Sequence, residues 1–137
     1  MPIEKPSENE AAQSNPMIMV VDDESGITDL WSDLLTSFGY QVSTFSEAVT
    51  ALKTFQQQPD TFDLVISDLM MPDLDGVTLI TRMQAVRPDI PAIIITGIYN
   101  DLDPNQADLS CAQAVLPKPV QVNELLSTVQ EVLSKRP

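Results

Sequence analysis

Four short apolar runs, none longer than five residues, recur along this chain: Met17–Val21, Leu64–Ile66, Ala92–Ile95 and Ala114–Leu116. A run of this kind, without polar alternation, suits a strand covered on both faces. Between the runs lie segments whose apolar residues recur at helical spacing, which supply the covers. Strands of this type alternating with amphipathic helices confine the chain to an open parallel sheet wrapped on both faces, with right-handed crossovers.

In chain order, Ser25–Phe38 predicts a first helix with Ile27, Leu30, Trp31, Leu34, Leu35 and Phe38 inward, and Gly39 stands where a C-terminal cap belongs. Tyr40–Phe45 is a second strand, and Ser46 is placed to cap a helix through Gln57 with Val49, Leu52 and Phe55 facing in. Leu64–Ser67 is the third strand, and Gly76–Val86 the third helix, with Val77, Ile80 and Met83 inward. Asp103-Pro104-Asn105-Gln106 reads as the start of a short fourth helix. Val120–Ser134 is the last, so five strands and five helices are expected. Trp31, Phe38, Phe45, Phe55 and Phe62 are expected in the core or at its edge. Residues 1–16, polar and proline-bearing, predict a disordered leader before a domain over residues 17–137.

Composition removes several classes of function. There is no histidine, so no histidine-based triad or dyad operates within the chain. The single cysteine, Cys111, allows no internal disulfide, and the absence of histidine argues against a structural zinc site. A net charge of −13 opposes direct binding to nucleic acid. No apolar stretch is long enough to span a bilayer, and no signal peptide is evident; a cytoplasmic setting is expected.

Polar residues at the strand ends carry the chemistry. The first strand ends in Asp22-Asp23, followed by Glu24; the third ends in Asp68, the fourth in Thr96-Gly97, and the fifth in Pro117-Lys118-Pro119. In a parallel sheet these share the carboxyl edge, where binding crevices form. Carboxylates so close repel unless a cation intervenes, and a hard divalent ion such as Mg²⁺ suits an all-oxygen site with open positions. A carboxylate beside such an ion and an ammonium is equipped to attack phosphorus. Any phosphohistidine donor must then belong to another protein.

The run Val21-Asp22-Asp23-Glu24, the loop Asp68-Leu69-Met70-Met71-Pro72-Asp73-Leu74-Asp75-Gly76, Thr96-Gly97 and Lys118-Pro119 resemble the receiver domain of two-component response regulators over residues 17–135. That resemblance implies a flavodoxin-like, three-layer fold with strand order 2-1-3-4-5, the order the family's chemotaxis member is known for. It also implies that Asp68 is the phosphoacceptor and that Asp23, Asp22, Asp68 and the Met70 backbone carbonyl hold Mg²⁺. Thr96 would hydrogen-bond the phosphoryl group after its own reorientation, Lys118 would pair with one of its oxygens, and the Lys118–Pro119 bond would be cis. The phosphorylated form would shift the Thr96/Lys118 surface to control an output or partner. The implied partner is a sensor histidine kinase or a histidine phosphotransfer protein, and the chain is a phosphoacceptor rather than an enzyme in its own right. It would be either a stand-alone receiver or the receiver of a larger regulator or hybrid kinase, any further part lying after Pro137.

Two features depart from the pattern. Receivers often carry Tyr or Phe three residues before the lysine, where Val115 stands, and the segment Asn100–Pro104 leaves only a short, acidic fourth helix. Dimerisation through the face those residues belong to is therefore only an option. The alternative function is a receiver-shaped interaction module that works without phosphate. Asp73-Leu74-Asp75-Gly76-Val77 also has the form of a haloacid-dehalogenase-type nucleophile motif, but it follows Met70-Met71-Pro72 mid-chain instead of ending a strand.

Overall fold

The computed structural model describes residues 15–97 and 109–135. Five parallel strands, β1 (Met17–Val21), β2 (Gln41–Phe45), β3 (Leu64–Asp68), β4 (Ala92–Thr96) and β5 (Ala114–Pro117), form one sheet in the order β2-β1-β3-β4-β5. Four α-helices fall among the described residues: α1 (Ser25–Ser37), α2 (Ala48–Gln57), α3 (Gly76–Val86) and α4 (Val122–Ser134). The short helix expected after Asp103 lies outside the described residues.

The parity of the strand residues divides the core in two. Met19, Val21, Val65 and Ile94 face α2 and α3, where they meet Ala51, Phe55, Ile80 and Met83. Ile18, Val20, Ile66 and Ile93 face α1 and α4, against Trp31, Leu35, Leu125 and Val129. The apolar runs are continuous because both faces of β1, β3 and β4 are buried.

Several helix details differ from expectation. The buried stripe of α2 is Ala48, Ala51, Leu52 and Phe55, which turns Val49, one position from Ala48, out to solvent. In α1 the stripe is Thr28, Trp31 and Leu35, leaving Leu30 exposed for the same reason. Phe38 is 57% exposed, because it sits past the last helical residue, where the chain turns away. Trp31, Phe55 and Phe62 are buried, Phe45 is half-buried, and Val77 is half-buried beside the buried Leu79. The last helix begins at Val122, not Val120, and Val122 in its first turn is exposed.

Gly39 closes α1 as expected. Its φ is 95°, its N–H donates to Thr36 O at 3.0 Å, and the N–H of Tyr40 donates to Leu35 O at 3.2 Å. This is the Schellman arrangement, and the positive φ is what asks for glycine. Ser46, by contrast, does not cap α2. The N-cap position is Glu47, whose side chain makes no capping bond; the amide of Val49 instead donates to Asp73 Oδ2, at 3.0 Å, from the loop after β3.

Candidate functional site

Strand register brings the polar residues together. Val21 pairs with Ser67, so the following residues, Asp22 and Asp68, stand level on neighbouring strands. Asp68 pairs with Ile95, and Thr96 with Pro117, which places Thr96 and Lys118 one step further along the same edge. The peptide between Lys118 and Pro119 is cis, and the Lys118 N–H donates to Thr96 O at 2.9 Å.

The Lys118 ammonium lies 3.3 Å from Asp68 Oδ2, 3.4 Å from Asp22 Oδ2 and 4.0 Å from Glu24 Oε1. Oxygens of Asp22, Asp23 and Asp68 lie within 4.8 Å of one another. Asp22 and Asp68 are buried and Asp23 is exposed, so the cluster is rooted in the sheet edge and open on one side. Thr96 is 1% exposed, and Met70, in the loop after Asp68, is 59% exposed.

Burial raises the carboxyl pKa of both Asp22 and Asp68. The Glu24 amide, donating to Asp22 Oδ1 at 2.9 Å, opposes the rise at Asp22, and Lys118 opposes it at both acids. The negative charge of Asp68 adds to the rise at Asp22. For Lys118, burial works against the charged form, but Asp22 and Asp68 outweigh it and its pKa rises. The cluster therefore holds two costly negative charges with one positive group between them. Three converging carboxylates, hard oxygen donors under mutual repulsion, fit a small divalent cation.

The loop from Leu69 to Gly76 is bound closely to its strand. Leu69 N–H donates to Ile95 O at 3.0 Å and Gly76 N–H to Leu69 O at 2.8 Å. A Cβ on Gly76 would fall under 3.0 Å from the Asp68 carbonyl oxygen, so glycine here lets α3 start directly against the strand end. Asp75 caps α3, accepting from the Thr78 amide at 2.7 Å. Asp73 and Asp75 thus act as helix caps, and the dehalogenase-type reading has no support in their placement. The role of Asp73 was not legible as a cap for α2; the available signal was the lack of a good capping residue at Glu47 itself.

Fold and site together define a class: a parallel α/β domain whose carboxyl edge carries an acidic, lysine-bridged pocket that fits a phosphoacceptor site. The chain matches the model of the response regulator receiver domain over residues 18–130 and belongs to that family. It is 31% identical over 119 residues to the sensor kinase CckA of Brucella abortus, covering 87% of this chain and 13% of the kinase. It is 33% identical over 118 residues to the transcriptional regulatory protein GlrR of Escherichia coli, covering 86% of this chain and 26% of the regulator. The chain thus spans only a small part of these relatives. Among solved structures, a receiver domain protein from Clostridium thermocellum superposes with a TM-score of 0.80 at 29% identity, covering 88% of this chain and 95% of that one. The Thermotoga maritima response regulator TrrA, solved in complex with Mg²⁺–BeF, gives a TM-score of 0.74 at 30% identity, covering 85% of this chain and 98% of that one.

Proposed function

We propose that Asp68 is the residue phosphorylated in this receiver, and that the donor is a phosphohistidine on a sensor histidine kinase or histidine phosphotransfer protein. The observation that carries this is the Lys118 ammonium set between Asp68, at 3.3 Å, and Asp22, at 3.4 Å, in a cluster of three carboxylates. A single cation that contacts both acids is placed to meet the charge of an incoming phosphoryl group.

Asp22, Asp23, Asp68 and the Met70 carbonyl would hold Mg²⁺, which when bound neutralises phosphoryl oxygens and relieves the carboxylate repulsion. In the transfer, a carboxylate oxygen of Asp68 forms a bond to phosphorus as the bond from phosphorus to the donor imidazole nitrogen breaks. The electron pair leaves with that imidazole. Lys118 pairs with one phosphoryl oxygen, and the Thr96 hydroxyl, buried in this structure, reorients to donate to another. None of the 137 residues is a histidine, so the donor imidazole lies outside this domain. The relatives' names, a sensor kinase and a transcriptional regulator, support placement in two-component signalling, and the TrrA complex supports Mg²⁺. Retention of the acids and Lys118 disfavours a passive interaction module.

Among the described residues no helix is long and apolar enough to cross a membrane. Membership of the receiver family and the net charge of −13 support a cytoplasmic partner-binding domain that does not itself contact nucleic acid. Residues 1–16 are proposed as a leader to the receiver.

Incubation with Mg²⁺ and acetyl phosphate, followed by intact mass measurement, tests the reading. The wild type gains the mass of one phosphoryl group and Asp68→Ala gains none. An unmodified wild type, or equal labelling of Asp68→Ala, overturns it.

A further inference from the structure

We infer that Asp73 is a positioning residue for the Asp68 loop, acting by tying the crest of that loop to the first turn of α2; this rests on Asp68 being the phosphoacceptor. The Leu69 N–H ties the start of the loop to Ile95 O of β4, and the Gly76 N–H closes the loop back onto Leu69 O. Between them rises a crest from Met70 to Leu74, which carries the carbonyl assigned to the cation. Met71 and Leu74 pack partly against the core, whereas Met70 and Asp73 are exposed. Asp73 Oδ2 accepts from the Val49 amide at 3.0 Å, a bond between residues 24 apart in sequence.

Val49 is the second residue of α2, where the amide is an orphan donor that the N-cap side chain ordinarily satisfies. Glu47 occupies the N-cap position and leaves that amide alone; its Oε1 accepts from the Thr50 hydroxyl instead, at 3.1 Å. The capping bond has therefore been moved from the helix's own sequence to the loop of the site. Its anchor is firm, because Ala48 and Ala51 in the same turn are fully buried in the core. The carboxylate also lies at the positive end of the helix, where a negative charge is favourably placed. One bond thus serves two structures: it completes α2 and fixes the loop two to five residues beyond Asp68.

A substitution can separate the two roles. Asp73→Ala loses both. Asp73→Asn keeps an acceptor oxygen and loses only the charge. The pair Glu47→Ser with Asp73→Ala gives α2 a local cap from a backbone already extended at residue 47, yet leaves the loop untied. The rate of phosphorylation by acetyl phosphate with Mg²⁺ and the melting temperature are read for all of these.

Asp73→Ala is expected to slow phosphorylation roughly tenfold, since catalysis here depends on positioning. Asp73→Asn stays within about threefold of wild type, because the same bond can form. The double variant recovers the melting temperature but remains slow. Recovery of the rate along with the melting temperature would show Asp73 to be a helix cap alone and overturns the inference, as does an unchanged rate in Asp73→Ala. If the wild type itself takes no phosphate, the reading of Asp68 fails, and that failure is distinguishable because it precedes any effect of Asp73.

Discussion

Lys118 and Asp68, from the ends of two strands that are not neighbours in the sheet, meet at 3.3 Å, and Lys118 is the more exposed partner, at 27% against 8% for the side chains. The ammonium lowers the cost of the buried carboxylate without cancelling it, since burial still raises the Asp68 pKa. Ionised Asp68 therefore opposes folding at neutral pH when no cation is bound. Asp68→Asn keeps the shape and removes the charge. It is expected to stabilise the protein in EDTA at pH 7 by about 1 kcal/mol, the usual gain from relieving a strained functional site. Urea denaturation measures this, and a less stable variant contradicts it.

The same shifts set the pH dependence. Asp22 and Asp68 both have folded pKa values above their unfolded ones, so between the two the folded state binds more protons. Their contribution to stability falls as pH rises from about 4 through the raised values, then levels off. Without metal, the stability advantage of an Asp22→Asn/Asp68→Asn variant over wild type should grow across that window. Mg²⁺ needs the ionised acids, so its stabilisation of wild type should be full above the window and fade as pH falls into it. Lys118 has the opposite placement: its raised pKa stabilises fully at neutral pH and loses that effect only as pH climbs through the folded value, above 10.5. Thermal melts with Mg²⁺ and with EDTA along a pH series test all three. A wild-type-to-variant difference that stays flat with pH contradicts the assignment to these acids.

Gly76→Ala should be costly at both the fold and the site. The added methyl would meet the Asp68 carbonyl oxygen under 3.0 Å and the Leu69 Cα at 3.2 Å, and these are backbone atoms that cannot rotate aside. Overpacking of this kind costs roughly 1–3 kcal/mol. Because the atom displaced belongs to Asp68, phosphorylation should slow as well. Wild-type stability and rate in Gly76→Ala would contradict the close approach.

Gly39→Ala makes the contrasting case. At a φ of 95° a side chain is strained although nothing lies within 4 Å of the added methyl. A loss of about 1 kcal/mol is expected, from the backbone alone. The phosphorylation rate should be unchanged, because the turn between α1 and β2 contributes no group to the site. Stability and rate falling together would point to a coupling absent from the geometry.

The strands and the members of the site were legible because both follow from short-range sequence. An apolar run with no alternation predicts a strand covered on both faces, and Asp22, Asp23, Asp68, Thr96 and Lys118 could be placed on one edge from their positions after such runs. The third helix, Gly76–Val86, also emerged at its full length, marked by Asp75 and Gly76 at its start. Helix phase was less legible. Leu30 and Val49 fit an apolar face by spacing, yet each lies a residue off the stripe that packing selects, and Phe38 sits past the end of its helix.

Sequence by itself determined which residues could do chemistry: acids at strand ends, one lysine between prolines, and no histidine to act within the chain. Tertiary structure alone decided how those groups balance one another. A charge pattern carries no distances, and it is the register of β1, β3, β4 and β5 that brings Lys118 to two acids at once. The cap of α2 belongs to the same category. Local rules look for a capping residue beside the helix, at Ser46 or Glu47, whereas the amide of Val49 finds its oxygen on Asp73, which only the packed chain brings near.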